Sequence, residues 1–163
     1  MTGTPHREPR IVSLYGMYIV GLEVRTTNRD ETDPETARIP VVWKRAIEEN
    51  LAGKIPDATE PSITLGAYTR YQSDENGPYS LIVGAEVGSL GDVPAGMAGI
   101  TVLAQEYLIF SAFGEMPQAG IDAWGEVHRY FSETTSLTRT FTADFERYDS
   151  ARPDEVEIYI AVR

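Results

Sequence analysis

The chain contains no cysteine among its 163 residues. That excludes disulfides, thiolate metal centres and cysteine nucleophiles, and makes a reducing, cytoplasmic setting the expectation. Its two histidines, His6 and His128, are too few for a zinc site built on imidazole, so no metal is expected. No stretch approaches the ~20 consecutive apolar residues a membrane span needs. The first ten residues have no apolar run of the kind a secretory leader requires. Positive charge is also scarce: 14 Lys and Arg stand against 25 Asp and Glu, for a net charge of −11. Such a domain repels phosphate backbones, so direct nucleic-acid binding is not expected. A solvated acidic surface explains the charge more readily than a cation-gathering one. There is no G-x-S-x-G elbow, no phosphate loop and no G-x-G-x-x-G, so no cofactor is expected. Asp74-Glu75-Asn76-Gly77 lacks the EF-hand spacing and reads as a turn.

The chain does have enough apolar residues for a core, 42% of the total, and nine tyrosines. Two short stretches nearly repeat. Arg70-Tyr71-Gln72-Ser73 returns as Arg147-Tyr148-Asp149-Ser150, 77 residues on (147 − 70), and Leu81 and Val83 fall on Ile158 and Ile160 at the same offset. The residue before each Arg-Tyr pair is Thr69 in one copy and Glu146 in the other. A repeated scaffold with a carboxylate on one side only suggests a binding site at a pseudo-symmetric seam.

The element pattern supports two halves. Residues 1–10 read as a flexible tail. Ile11 to Thr27 reads as one long strand, bulged near Gly16 or Gly21. Asp33-Pro34 offers a cap and a first-turn proline for a helix carrying Ile39, Val42, Trp43, Ala46, Ile47 and Leu51, which Gly53 ends. Strands at about 63–72 and 79–87 make a hairpin around the acidic turn at 73–78. The second half repeats the order. A strand runs from 97–103 into 107–113, broken at Ala104-Gln105. Pro117 then opens a helix with Ile121, Trp124, Val127, His128 and Phe131 on one face, and strands at 141–149 and 156–162 form a second hairpin. The expected fold class is α+β: a tandem duplication of a β-α-β-β unit with antiparallel sheets and a ligand cavity between the halves. Residues 11–163 form the expected single domain, with halves of about 11–90 and 95–163.

Strand alternation puts Ala143, Phe145 and Arg147 on one face of the last hairpin and Asp144, Glu146 and Tyr148 on the other. With the continuous apolar face under the helices, Glu146 is expected on the opposite, inter-half side. By pattern alone a solvated surface glutamate is the commoner outcome. Trp43 and Trp124 occupy matching helix positions, where core packing is the default and a pair of aromatic walls the alternative. Tyr68, Tyr71, Tyr79, Tyr107 and Tyr148 lie on or beside strands. Rings facing one cavity would suit flat lipophilic ligands and favour cations.

The chain resembles the gyrase-inhibitor-like (GyrI-like) small-molecule-binding domains, which also form the effector-binding part of many AraC-type and MerR-type transcription regulators. The matching pieces run from about Ile11 to Val162. They include Gly21-Leu22 with Thr26-Thr27-Asn28, Ile39-Pro40-Val41-Val42-Trp43, Gly66-Ala67-Tyr68, Tyr79 through Val87, and Val93 through Met97. Tyr107-Leu108-Ile109-Phe110, Gly114, Trp124 and Asp144 through Asp149 complete the set. No piece is specific alone; their order and spacing together are. The resemblance implies an aromatic-lined cavity holding one carboxylate, Glu146, which reverses the surface reading above. It also implies that Trp43 and Trp124 face the cavity, that Tyr68 and Tyr79 lie near it, and, as weaker carry-overs, that Tyr107 and Phe110 contribute.

No helix-turn-helix segment is present, so the expected form is a stand-alone sensor or sequestering protein for bulky aromatic, often cationic compounds. Some stand-alone relatives in this family are hydrolases that open cyclopropane-bearing genotoxic compounds. That alternative assigns Glu146 to water activation and a tyrosine such as Tyr68 to the developing oxyanion. A third reading is an interaction protein with a macromolecular partner. Pseudo-symmetry within one chain completes the cavity, so a monomer suffices.

Overall fold

The structure is a computed structural model that describes residues 6–133 and 136–163. Eight strands form one antiparallel sheet: β1 (His6–Leu14), β2 (Met17–Thr26), β3 (Ile63–Thr69), β4 (Tyr79–Val87), β5 (Ala98–Val102), β6 (Gln105–Phe113), β7 (Ala143–Asp149) and β8 (Glu155–Val162). Three helices accompany them: the one-turn α1 (Asn28–Glu31), α2 (Ile39–Glu48) and the long α3 (Gln118–Glu133). The fold is α+β, as expected from the sequence.

The strand order is β1-β6-β8-β7-β3-β4-β2-β5. The two hairpins, β3–β4 and β7–β8, meet at a central β3–β7 seam. At the far side, β1 and β2 are two arms of one run interrupted at Tyr15-Gly16, and β5 and β6 are two arms of another. Leu14 pairs with Gln105 and Met17 with Val102, so one register passes through both interruptions. β1 begins at His6, inside the stretch expected to be a tail, while Met1–Pro5 lie outside the described residues.

Every strand sends side chains into one apolar cluster. It includes Ile19, Ile63, Leu65, Ala67, Ile82, Tyr107, Phe145 and Ala161, with Val12 and Leu14 from β1 packed against it. The sheet therefore curls around this core, and the helices cover its outer face through two further clusters. α2 packs Val42 and Ala46 inward; α3 packs Ala119, Ala123 and Val127. Both faces of the sheet are buried, which explains the apolar runs of β4, β6 and β8.

Three local expectations are corrected. Asp33-Pro34 does not cap α2. Asp33 instead accepts the Glu35 N–H in a turn, and the Glu31 carboxylate receives the Arg38 and Ile39 N–H groups at 2.9 and 3.0 Å. A carboxylate five or more residues upstream replaces the neighbouring cap because α1 folds back to deliver it. α2 ends at Glu48, Asn50 just beyond it is left-handed (φ 49), and a separate 3₁₀ turn, Leu51–Lys54, holds Gly53, which therefore does not end α2. The 77-residue offset is not the structural correspondence: Arg70 stands beyond β3 with φ 52, whereas Arg147 lies within β7.

β2 and β4 approach so closely at Gly21 and Gly84, which pair directly, that a Cβ on Gly84 would stand 1.8 Å from the Val20 carbonyl oxygen. Backbone cannot yield as a side-chain tip can. Gly84→Ala is expected to cost about 3 kcal/mol, and a urea melt would check it. An unchanged midpoint would mean that these strands are not held so tightly.

Candidate functional site

Side chains at even positions of β7 point to the helix-covered face. Glu146 pairs across the ladder with Ile158, which packs under α3. This corrects the expected orientation: Glu146 faces the helices. The strand pattern misleads because the odd-numbered face, Ala143 and Phe145, belongs to the core inside the curled sheet. Directly opposite Glu146 across the seam is Gly66. A Cβ there would meet the Trp43 ring at 2.8 Å, so the glycine makes room for the indole beside the carboxylate.

α2 and α3 straddle the seam, and between them lies an apolar cavity of about 1150 Å³. Trp43 and Ile47 come from α2, Trp124 and Ile121 from α3, and Tyr68, Glu146 and Tyr148 from the floor. The rings pair crosswise. Trp43 meets Tyr148 edge-on at 5.2 Å, and Trp124 meets Tyr68 edge-on at 5.1 Å. Ile47 is 75% exposed and Ile121 60%, one on each helix at the rim.

Glu146 is only 5% exposed. Tyr68 donates its hydroxyl to Oε1 at 2.8 Å, and Tyr148 donates to Oε2 at 2.9 Å. Among the described residues no ion pair joins Glu146, and the cavity lining holds no other carboxylate and no Lys or Arg. Burial therefore dominates and raises its pKa above the ordinary carboxylate value; the donors Tyr68, Tyr148 and the Trp124 indole lower it but do not cancel the effect. The same burial, with the adjacent carboxylate, pushes the Tyr68 and Tyr148 hydroxyls far up, so both remain protonated donors. His128 on the cavity wall is shifted down by burial and by Arg139, which favours its neutral form.

A group whose folded pKa exceeds its unfolded value holds, in the folded state, a proton the unfolded chain has released. Its contribution is complete below about pH 4.5, the unperturbed value, and is lost as pH rises through the raised folded value. Urea melts above pH 4.5 should thus show wild type losing stability relative to Glu146→Gln as pH rises. Parallel curves for the two proteins would mean that Glu146 is not desolvated.

The other expected residues are placed unequally. Trp43, Trp124, Tyr68 and Glu146 converge on the cavity. Tyr79 lies one ring away, 5.8 Å from Tyr68, and its hydroxyl donates to Asn28. Tyr107 is on the wrong face: it is buried in the core enclosed by the sheet, receives a hydrogen bond from Gln105, and has its pKa pushed up to about 12 by burial. Phe110 packs under α3 against Tyr130 and Phe131. Neither lines the cavity. Tyr148, expected on the same strand face as Glu146 and among the tyrosines that could face a cavity, does line it, as do the rim isoleucines Ile47 and Ile121, which were expected only on helix faces.

A second buried carboxylate lies on the same face of β7. Asp144 is 0% exposed. It accepts Tyr71 at 2.6 Å, Arg139 at 2.8 Å and the Ala161 N–H at 2.8 Å. Unlike Glu146 it has a cationic partner, so it is a structural group. Among the described residues there is no cluster that could hold a metal ion and no helix long and apolar enough to cross a membrane.

A curled antiparallel sheet carrying two helices is the fold of a GyrI-like effector-binding domain of the kind found in transcription regulators. The chain belongs to the Cass2 family, the integron-associated effector binding proteins, which it matches over residues 10–162. It is 36% identical to an integron cassette protein from the mobile metagenome of Vibrio cholerae, whose crystal structure superposes with a TM-score of 0.85 over 99% of this chain and 100% of that one. It is 29% identical to the putative transcriptional regulator protein YobU of Bacillus subtilis, covering 88% of this chain and 90% of YobU. The fold of SAV2435, solved bound to tetraphenylphosphonium, matches with a TM-score of 0.76 at 22% identity, over 96% of this chain and 94% of that one.

Proposed function

We propose that this protein binds bulky aromatic cations in the cavity between α2 and α3, acting as a sensor or sequestering protein. One observation carries the reading: Glu146 is buried in an apolar chamber with no cationic partner among the described residues. An unpaired buried carboxylate costs folding free energy. A ligand bringing a delocalised positive charge between Trp43 and Trp124 repays that cost, and the rings add cation–π contacts of ~0.5–2 kcal/mol each. The tetraphenylphosphonium bound to SAV2435 has this chemistry, which supports the choice of ligand class. The halves, about 11–90 and 95–163, act as one binding domain derived by duplication. Tyr68 and Tyr148 are the matched pair that serves a single carboxylate on the seam.

The hydrolase alternative uses the same Glu146. It needs Tyr68 to donate to a substrate oxygen, but that hydroxyl donates to Glu146 and has one proton to give. The geometry therefore favours binding over turnover.

The test compares tetraphenylphosphonium with tetraphenylborate, which has the same shape and the opposite charge. Calorimetry should show binding of the cation alone. Trp43→Ala and Trp124→Ala should each weaken it about 10-fold, the loss of a stacked aromatic contact. Equal affinity for both ions would remove the carboxylate from the explanation. A cyclopropane-bearing ligand recovered with an added water would replace binding by hydrolysis.

A further inference from the structure

Beside the main cavity is a smaller chamber of about 200 Å³ that shares Ile39, Tyr68, Trp124 and His128 with it. The shared walls let one ligand reach into both. Tyr79 lines the side chamber, its ring 5.8 Å from Tyr68 and 5.9 Å from Tyr71. Its hydroxyl feels the charges of Glu31 and of Glu146 together. A carboxylate of the side chamber and the carboxylate of the main cavity thus lie within electrostatic reach of one group.

The side chamber carries net negative charge. Glu31 and Glu75 line it. The Arg139 guanidinium in its wall is neutralised by Asp144 at 2.8 Å, and burial with Arg139 favours the neutral form of His128. Glu31 is spent on the start of α2, where it accepts the Arg38 and Ile39 N–H groups. Glu75 is different. Asn28 donates to its backbone carbonyl and so fixes the turn, but among the described residues no Lys or Arg pairs with its carboxylate. Tyr71 and Tyr79 give their protons to Asp144 and Asn28 instead. Glu75 is half-buried, so a group in the chamber can reach it, and its charge acts on His128 in the wall common to both cavities. The chamber therefore offers a carboxylate and tyrosine faces to a positive charge. Its volume suits a short alkylammonium rather than a second aromatic body.

We infer that the side chamber is a second cation subsite, in which Glu75 takes an ammonium group carried on a short arm by a ligand whose aromatic cationic body lies against Glu146. This deepens the function proposed above and rests on it. The preferred ligand is then a dication with unequal ends: one charge bulky and delocalised, the other compact and hydrogen-bonding.

Three ions with one triphenylphosphonium body provide the test: the butyl, 4-hydroxybutyl and 4-aminobutyl derivatives, the last protonated near neutral pH as a lysine is. Calorimetric titrations of the whole protein should give the aminobutyl ion about 10-fold tighter binding than the butyl ion, the effect of one charge-assisted hydrogen bond in a partly desolvated site. The hydroxybutyl ion should gain far less. Shorter and longer amino arms should show an optimum length, because the subsite is fixed relative to Glu146. Glu75→Gln should bring the aminobutyl ion down to the butyl level. Glu48→Gln, which removes an exposed charge from α2, should keep the full gain. Butyl binding that depends on Glu146, with no gain from the amine at any arm length, would overturn the subsite and spare the cation site. A gain that persists in folded Glu75→Gln, or falls equally in Glu48→Gln, would reduce it to the general pull of an acidic surface and overturn the subsite too. Failure of every ion to bind would remove both.

Discussion

Glu146→Gln is expected to lower affinity for tetraphenylphosphonium by about 100-fold or more while leaving the protein folded and, near neutral pH, slightly more stable. The two effects share one cause. Burial without a cation destabilises the charged form of Glu146, so the apo protein carries a cost that the neutral amide does not. The glutamine oxygen can accept from one of Tyr68 and Tyr148, and the other hydroxyl can turn to accept from the amide, so the local network survives. The ligand loses its counter-charge in a low-dielectric site. Truncating one partner of a buried charge pair costs ~2–5 kcal/mol, and 100-fold corresponds to about 2.7 kcal/mol. Calorimetry and thermal melts on the same preparation would read both signs. Weaker binding with a lower melting temperature would instead make Glu146 a structural group whose loss loosens the cavity.

The opposite pattern is expected at the neighbouring carboxylate. Asp144→Ala removes the acceptor for Tyr71, for the Ala161 N–H and for a guanidinium that is almost wholly buried. Breaking a buried pair from one side costs ~3–5 kcal/mol, out of a total stability of ~5–15 kcal/mol. At ~2–4 °C per kcal/mol for a chain of this size, the melting temperature should fall by roughly 10 °C. Saturating tetraphenylphosphonium should recover only the stabilisation that ligand binding gives any folded variant. A melting temperature within about 2 °C of wild type would show that Asp144 and Arg139 are solvated in solution. The two acidic residues, two positions apart on one strand face, thus separate a group available to ligand from one committed to the fold.

The sequence made the hairpins, the long helix and the carboxylate legible because each has a local signature. Tyr79–Val87 and Ala143–Asp149 alternate or run apolar between turn residues, and α3 carries its apolar residues at helical spacing. What was not local was misread. The side of the sheet that Glu146 faces depends on the curl of all eight strands around Ile19, Leu65 and Phe145, which alternation within one strand does not encode. Tyr107 and Phe110 are three residues apart on one strand and so point to opposite faces, yet neither reaches the cavity: one is enclosed by the sheet and the other lies under α3. Arg139 gave no signal at all, because its meaning comes from Asp144 and Phe141 in space. Asp144 could have been flagged as an acidic residue inside an apolar strand. The capping of α2 by Glu31 needed knowledge of how α1 folds back.

The shared register of the β1–β2 and β5–β6 runs has a consequence for how the chain acquires its structure. β1 lies in the first 14 residues, yet its partner is β6, with Val12 opposite Tyr107. β6 in turn rests on β8, which ends at Val162. During synthesis β1 must therefore wait, unpaired, until β6 has emerged, and β6 in turn until β8 has. Neither half can close by itself, since each lends the other an edge. Such distant pairings slow the search for the native state and prolong exposure of a sticky strand. A break in the 88–96 segment should accordingly yield two fragments that are unfolded apart and structured when mixed.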